Sequence, residues 1–453
     1  MTLPVDLNRL SRGELIQIIY AQKDELDLLA TQIADLRARI DHQGPPQKTP
    51  PSWVKPNTKT KIHHERKQRD HGFARTLDIP TKRIIHSLDR CPDCNDNLGK
   101  PVVAYARQVI DIPVTPMEIT EHIIYKRWCF RCKKQVQPTV DFSASVVGKQ
   151  RIGIRLTSMI TVLREACRQP IATIQKYLSI IYGLSVSRGE LIELLHKTAH
   201  RGQTQYARLK ETIRGSPHIH GDETGGRENG KNGYWWSFNT KEVHYLLYRK
   251  SRSKHVVEEV LGDAFDRVLS SDFYAAYNTY TGFHQRCWVH FLRDIHERTE
   301  EYPKDKKLKR WARRVHMLYE QAKAYGGPDP LLPIGTQQRE RIEKQQHFEN
   351  ALRALCTPWV KTEAPMSTLA ARGITFLQEL FVFVRFPGIP SDNNPAERAL
   401  RHMVVSRKIS GGMRSSRGSQ TKAILSSLFG TWRLQNKNPF QECQLLLAGV
   451  SGV

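Results

Sequence analysis

The chain has 453 residues, enough for roughly three domains, and its hydrophobic share of 39% suffices for several separate cores. Lysine and arginine total 70 against 45 acids, a formal charge of +25, which points to a polyanionic partner and to nucleic acid before a membrane surface. No apolar run approaches the length of a membrane span and the N-terminus lacks a secretory pattern, so the expectation is a soluble intracellular protein.

Ser11 and Glu14 have capping-box spacing, and a helix is expected to start there. Leu15, Ile19, Gln22, Leu26, Leu29, Ile33, Leu36 and Ile40 then follow in alternating four- and three-residue steps. That heptad seam fits a self-associating coiled coil over 1–42, or a single amphipathic helix laid on a globular core. A linker over 43–85 follows, with Pro45, Pro46, Pro50, Pro51 and Pro56 and a basic run from Lys59 to Arg69, and it is expected to be extended.

Residues 86–140 are read as a compact unit around Cys91, Cys94, Cys129 and Cys132, with QVIDIPV and EITEHIIYKRW alternating as half-buried strands do. Two C-x-x-C pairs match a closed, structural Zn²⁺ site of zinc-ribbon type; two redox pairs are the competing reading, without the flanking βαβ pattern redox pairs usually have. Cys167, Cys356 and Cys443 are expected to be buried, inert thiols.

Residues 145–213 read as a helical domain. Two amphipathic segments joined through Gly183 and a turn ending near Ser187 resemble a helix-turn-helix whose second helix spans about Arg188 to Lys197, though plain helical packing fits equally. From 214 the texture becomes that of strands: HIHGDET, NGYWWSFNT, VHYLLYR and DRVLSSDF, with QRCWVHF as a fifth candidate and turns expected at Gly225-Gly226 and Asn232-Gly233. A helical stretch with a Gly/Pro-rich loop at 326–335 follows. A helix then starts near Asn393, a basic loop spans 406–422, and a last helix runs near 421–435. Strands with a long helical interruption suggest one α/β core in two parts, 214–295 and 385–453, around a helical insertion over 296–384.

Three acids stand out. Asp222 and Asp272 end expected strands, and Glu397 lies near the start of a helix that Pro395 is suited to open. Carboxylates on rigid strand ends are the hard oxygen ligands that hold two Mg²⁺ (or Mn²⁺) ions about 3.5–4 Å apart for phosphodiester chemistry. On spacing alone these are three acids among 45. Arg398, Arg401, Arg407, Lys408, Arg414, Arg417 and Lys422 cluster behind Glu397 with no acid between them, and Gly411, Gly412 and Gly418 would let backbone approach phosphate; this suggests a DNA-backbone clamp, or simply a solvated face. A second basic run, Lys304 to Arg314, is the weaker candidate.

The company these acids keep resembles the IS66-type insertion-sequence transposases. HGDETGG with its Gly-Tyr-Trp-Trp strand is similar to the first block of that family, SDFYAAYNTY with RCWVHFLRD to the second, and DNNPAERALRHMVVSRKISGGMRSSRGSQTKA to the third, the most specific. The resemblance implies a multidomain α+β protein: an RNase H-like catalytic core of the DDE group, preceded by a coiled coil, a zinc-binding domain and a helical domain. It implies Asp222, Asp272 and Glu397 as catalytic residues, His290 and Asn394 as candidate supports, and double-stranded DNA (element ends and target) as partner. The N-terminal coiled coil suggests a homo-oligomer, and the resemblance further implies accessory transposition proteins and a place on the nucleoid in the bacterial cytoplasm. A non-enzymatic DNA-binding repressor and a related RNase H-fold nuclease are the alternatives; the intact trio argues against the first, the third block against the second.

Overall fold

The computed structural model describes residues 11–42, 78–112, 117–148, 150–262, 266–278 and 280–449. They divide into two units between residues 113 and 114, inside the stretch read as the zinc unit. The linker's proline and lysine-rich part, up to residue 77, lies outside the described residues.

In the first unit, helix α1 (Arg12–His42) begins directly after Ser11, and its seam residues Ile19, Leu26 and Leu29 are exposed at 61%, 65% and 46%. Around Cys91 the chain makes a tight knuckle: Cys91 N–H donates to Asp96 O and Asn95 N–H to Cys91 O, both at 2.9 Å, with Asn95 at φ +60°.

The second unit opens with the hairpin β1 (Arg127–Cys129) and β2 (Lys134–Val136), which carries Cys129 and Cys132. Of the two strands expected here, QVIDIPV does not form among the described residues and EITEHIIYKRW forms only at its end, Arg127–Trp128 of β1: Val109, Ile110, Ile112, Ile119 and Ile123 are largely exposed and no ladder partner faces them. Alternation marks a strand only where another strand can take its hydrogen bonds.

Helices α2 (Ile154–Glu165), α3 (Ile171–Tyr182), α4 (Arg188–Arg201) and α5 (Gln203–Gly215) follow. Gly183 takes a left-handed C-cap at φ +63°, and Ser187 caps α4 by accepting from Glu190 N–H, so the expected two-helix motif is present. Cys167, expected to be buried, is exposed, because α2 ends at Glu165 and the chain reverses through Arg168 at φ +60°.

Strands β3 (His218–Glu228), β4 (Lys231–Asn239), β5 (His244–Arg249), β6 (Val268–Ser271) and β7 (Phe283–Arg286) form one mixed sheet in the order β5-β4-β3-β6-β7. The first three are an antiparallel meander; β6 runs parallel to β3, and β7 parallel to β6. Neither expected glycine turn is where the chain reverses. The turn is Asn229-Gly230, with φ +49° and +74°, the pair of positive angles a two-residue hairpin requires. Gly226 instead leaves room for Trp235, whose Nε1 would lie 2.5 Å from a Cβ there. The fifth strand ends at Arg286, and Trp288 already belongs to a helix.

One face of the sheet, with Trp236, Phe238, Leu247 and Leu269, packs under α5 and α6 (His255–Leu261). After β7 come α7 (Trp288–Glu301), α8 (Lys306–Ala324), α9 (Ile334–Cys356), α10 (Ser367–Thr375), α11 (Leu377–Leu380) and α12 (Val382–Arg385), with a core of their own centred on Trp288, Phe291, Trp311, Phe348 and Phe381. Finally α13 (Asn394–Ser410), α14 (Ser416–Leu434) and α15 (Pro439–Ala448) return; Leu400, Met403 and Ala423 pack on Trp235 and Leu246, covering the second face. The stretch expected as a basic loop is therefore mostly helix.

The β5 edge of the sheet is sealed, and α11 and α12 lie beside β7. On β5, Ser427 and Thr431 of α14 accept from the backbone N–H groups of Leu246 (2.8 Å) and His244 (3.0 Å). Beside β7, the Gln285 side chain accepts from Phe383 N–H at 2.8 Å and donates to Leu380 O at 3.3 Å, fixing α11 and α12 there. Among the described residues no helix is long and apolar enough to cross a membrane.

Candidate active site

The parallel pairing of β3 with β6 matches His218 to Val268 and His220 to Ser270. Two residues further along the same register lie Asp222 and Asp272, on one face because side chains alternate along a strand. Asp222 does not end its strand as expected: β3 continues to Glu228, paired only with β4, so Asp222 sits where the parallel ladder stops. Their shared face is the one α13 covers, since Thr224 on β3 pairs with Trp235 on β4.

Pro395 stands in the first turn of α13, and Glu397 follows with its N–H donating to Asn393 O at 3.3 Å. What aims this helix at β3 is Asn393, which is 1% exposed. Its Nδ2 donates to Gly221 O at 2.7 Å, so its Oδ1 must be the acceptor facing His220 Nδ1 at 2.9 Å. His220 therefore carries its proton on Nδ1, and burial holds the ring neutral, its pKa lowered to about 4. The Asn393 N–H donates to Cys287 Sγ at 3.2 Å, and burial pushes that thiol up to about 11. Cys287 is a packing group at the head of α7, and Asn393 is the residue the sequence reading missed in favour of its neighbour. Asn394 is half-buried, with its N–H on Asp392 Oδ1 at 3.0 Å.

The acids lack positive partners. His290 Nε2 lies 3.4 Å from Glu397 Oε1, and Glu397 Oε1 and His290 Nδ1 are both buried without a hydrogen-bond partner. The Asp222 carboxyl is pushed up to about 8, first by burial, then by the charges of Glu223 and Asp272, with Glu397 adding a smaller push. A carboxyl raised by burial and by two neighbouring acids, with an orphaned oxygen on Glu397, fits a site for hard divalent cations. Among the described residues no three ligand side chains yet converge closely enough to hold an ion.

Asp272 is positioned from behind. Its Oδ1 accepts from Tyr274 N–H at 2.9 Å, and its main-chain oxygen from Arg286 Nη1 at 2.7 Å. Arg286 is fully buried and also donates to Glu379 of α11 (2.6 Å) and Asn278 (2.7 Å).

The basic cluster behind Glu397 separates into parts. Arg398, Arg401, Lys408 and Arg414 are exposed. Arg407 Nη1 reaches Thr224 Oγ1 at 3.4 Å, and Arg417 makes two 3.0 Å bonds to Glu193 of α4. Lys422 is no phosphate ligand: it is 3% exposed and pairs with buried Glu165 at 2.8 Å. Gly412 does not serve phosphate approach either. A Cβ there would stand 2.6 Å from Arg227 O, where the loop after α13 pairs with the β3–β4 hairpin through Met413. On α8, by contrast, Lys306, Lys307, Lys309, Arg310, Arg313 and Arg314 do form an exposed basic face.

In the cysteine knuckles, Cys132 N–H donates to Cys129 Sγ at 3.4 Å. Backbone N–H groups of Cys94 and Asp93 lower the Cys91 thiol, and that of Cys132 lowers the Cys129 thiol. Such N–H···S bonds favour the thiolate, the form that ligates zinc.

A family model described as Transposase IS66 family matches residues 149–421, and one described as zinc-finger binding domain of transposase IS66 matches residues 89–133. No curated protein matches the chain.

Two outcomes are expected. In chelator-treated protein the unfolded chain ionises Asp222 near pH 3.9 while the folded chain holds its proton to about pH 8, so stability should fall as pH rises across that window. Mg²⁺ should restore melting temperature at the upper end, and Asp222→Asn should remove both effects; a wild-type melting curve indifferent to pH and Mg²⁺ contradicts this. Asn393→Ala should cost about 10–100-fold in DNA cleavage while the protein stays folded, and an unchanged cleavage rate would refute the clamp.

Proposed function

The chain belongs to the IS66 transposase family, and we propose from that premise that it is the DNA transposase of an insertion sequence, cutting element ends and joining them to target DNA at Asp222, Asp272 and Glu397. The observation that carries this is the acidic corner itself: two aspartates in one parallel register and a glutamate on a helix clamped to the same strand, all short of positive charge.

An antiparallel meander extended by two parallel strands, in the order β5-β4-β3-β6-β7, supports an RNase H-like core. We assign 214–295 and 385–453 as its two parts and 296–384 as its helical insertion. Bound between the three carboxylates, two Mg²⁺ or Mn²⁺ ions would activate the attacking hydroxyl and offset charge on the leaving oxygen. The chain's own part is to hold the carboxylates rigidly. Asn393 sets the distance from Glu397 to β3, and Arg286 fixes the backbone of Asp272. We assign His290, partly exposed and with Nε2 beside Glu397, to contact with the scissile phosphate. Exposed Arg398, Arg401 and Lys408 on α13 and Arg414 in the loop after it suit the DNA backbone.

The zinc-finger match spans Cys91, Cys94, Cys129 and Cys132, which we assign as four ligands of one structural Zn²⁺. The helical domain over 145–213 is assigned to DNA binding, with the N-terminal part of α4 as the reading surface, since Glu193 and His196 are engaged by Arg417 and Thr421. The exposed seam of α1 is assigned to pairing of copies as a coiled coil over 1–42.

Wild-type protein should cleave element-end DNA only with Mg²⁺ or Mn²⁺, and Asp222→Asn, Asp272→Asn and Glu397→Gln should bind that DNA yet leave it uncut. Equal cutting by all four proteins sinks the mechanism; no cutting by any would favour a DNA-binding repressor. Elemental analysis should find one zinc per chain, lost in Cys129→Ser together with end-specific binding; a zinc-free wild type would refute the assignment.

A further inference from the structure

One charged pair beside the acidic corner is left over by this chemistry. Glu223 follows Asp222 on β3, and its side chain is 1% exposed. Its Oε2 accepts from the Tyr277 hydroxyl at 2.8 Å, and its Oε1 accepts from both Nε (3.1 Å) and Nη2 (2.6 Å) of Arg252. Arg252 comes from the loop between β5 and α6, at the end of the sheet where the parallel ladder stops. Its guanidinium lies 3.7 Å from the centre of the Tyr274 ring and 5.6 Å from that of Tyr234. The Tyr274 hydroxyl donates back to Arg252 O at 2.6 Å, while the Tyr274 N–H holds Asp272 Oδ1.

Arg252 is thus tied toward Asp222 through Glu223 and toward Asp272 through Tyr274. It is nonetheless 42% exposed, and no acceptor among the described residues takes its Nη1 hydrogens. An arginine held by one edge and one face, with its other edge open, is preorganised for a planar oxyanion. Glu223 cancels its charge locally, so the pair adds no net charge to the corner yet offers oriented donors.

We propose that Arg252 is a positioning residue for substrate, contacting a backbone phosphate next to the scissile one, with Glu223, Tyr234 and Tyr274 fixing its geometry. The proposal rests on the transposase reading above. The test is a binding cycle that needs no chemistry: full-length wild type, Arg252→Ala and Arg252→Gln bind duplexes of the element's own end in Ca²⁺, each duplex with one methylphosphonate at or near the cleavage position.

Arg252→Ala should weaken binding about ten-fold and lower the slope of log Kd against log salt by about one, as expected for one lost phosphate contact. Neutralising one phosphate beside the scissile bond should weaken wild type to the same degree and leave Arg252→Ala unaffected. Arg252→Gln, which keeps a donor for Glu223, should show the same loss, and melting curves identify any variant that fails to fold. If the Arg252 and methylphosphonate effects simply add at every position, or the salt slope is unchanged, the proposal is wrong. Wild type that does not bind the end duplex at all overturns the transposase reading with it, whereas intact coupling alongside active Asp222→Asn would overturn that reading alone.

Discussion

The Asn393 side chain bonds to β3 through both its amide nitrogen and its oxygen, one residue and two residues before Asp222. Being almost wholly buried, it cannot exchange these bonds for water, and losing them would strand His220 Nδ1 and Gly221 O at a cost of about 1–3 kcal/mol each. The start of α13 is therefore fixed to within a hydrogen bond of the strand carrying the first aspartate. Because Pro395 sets the first turn, Glu397 arrives on the same face one turn later. The position of one amide thus sets the separation of the acids, and α7 is fixed to the same point through Cys287.

Similar joints connect the rest of the unit to this corner. Glu379 reaches from the insertion to Arg286, which holds the backbone of Asp272. Glu165 of α2 pairs with Lys422 of α14 out of contact with water and also accepts from Ser426. Removing one partner of such a pair leaves an uncompensated buried charge, so it specifies how the helical domain docks. The helices after β7 and the helical segment before β3 each meet the rest of the unit through an ion pair with at least one fully buried partner, a contact with few alternative geometries.

Much of the corner was legible in the sequence. Pro395 announced the helix that bears Glu397, and the strand before Asp272 ends where its alternation ends. Other features were hidden for physical reasons. Gly225-Gly226 looks like a turn because glycine tolerates turn angles, yet Gly226 is small so that Trp235 can lie across the strand. Lys422 belongs by composition to a cationic run, but charge along a sequence says nothing about burial, and its acid lies on a distant helix. Asn393 and Asn394 are indistinguishable in a motif; only the fold decides which faces β3. Of the strands expected before the hairpin, only Arg127–Trp128 pairs among the described residues, because alternation cannot supply the partner a ladder needs.

The sealed β5 edge bears on which contacts the sheet leaves open. Hydroxyls of α14 occupy the N–H groups of β5 that another strand would otherwise claim, and the Gln285 amide anchors the insertion beside β7. A sheet margin closed in this way does not offer itself to strand addition, which lowers the risk of cross-β polymerisation from that edge. Association through this unit is left to its helices and loops, contacts that can be undone without opening the sheet.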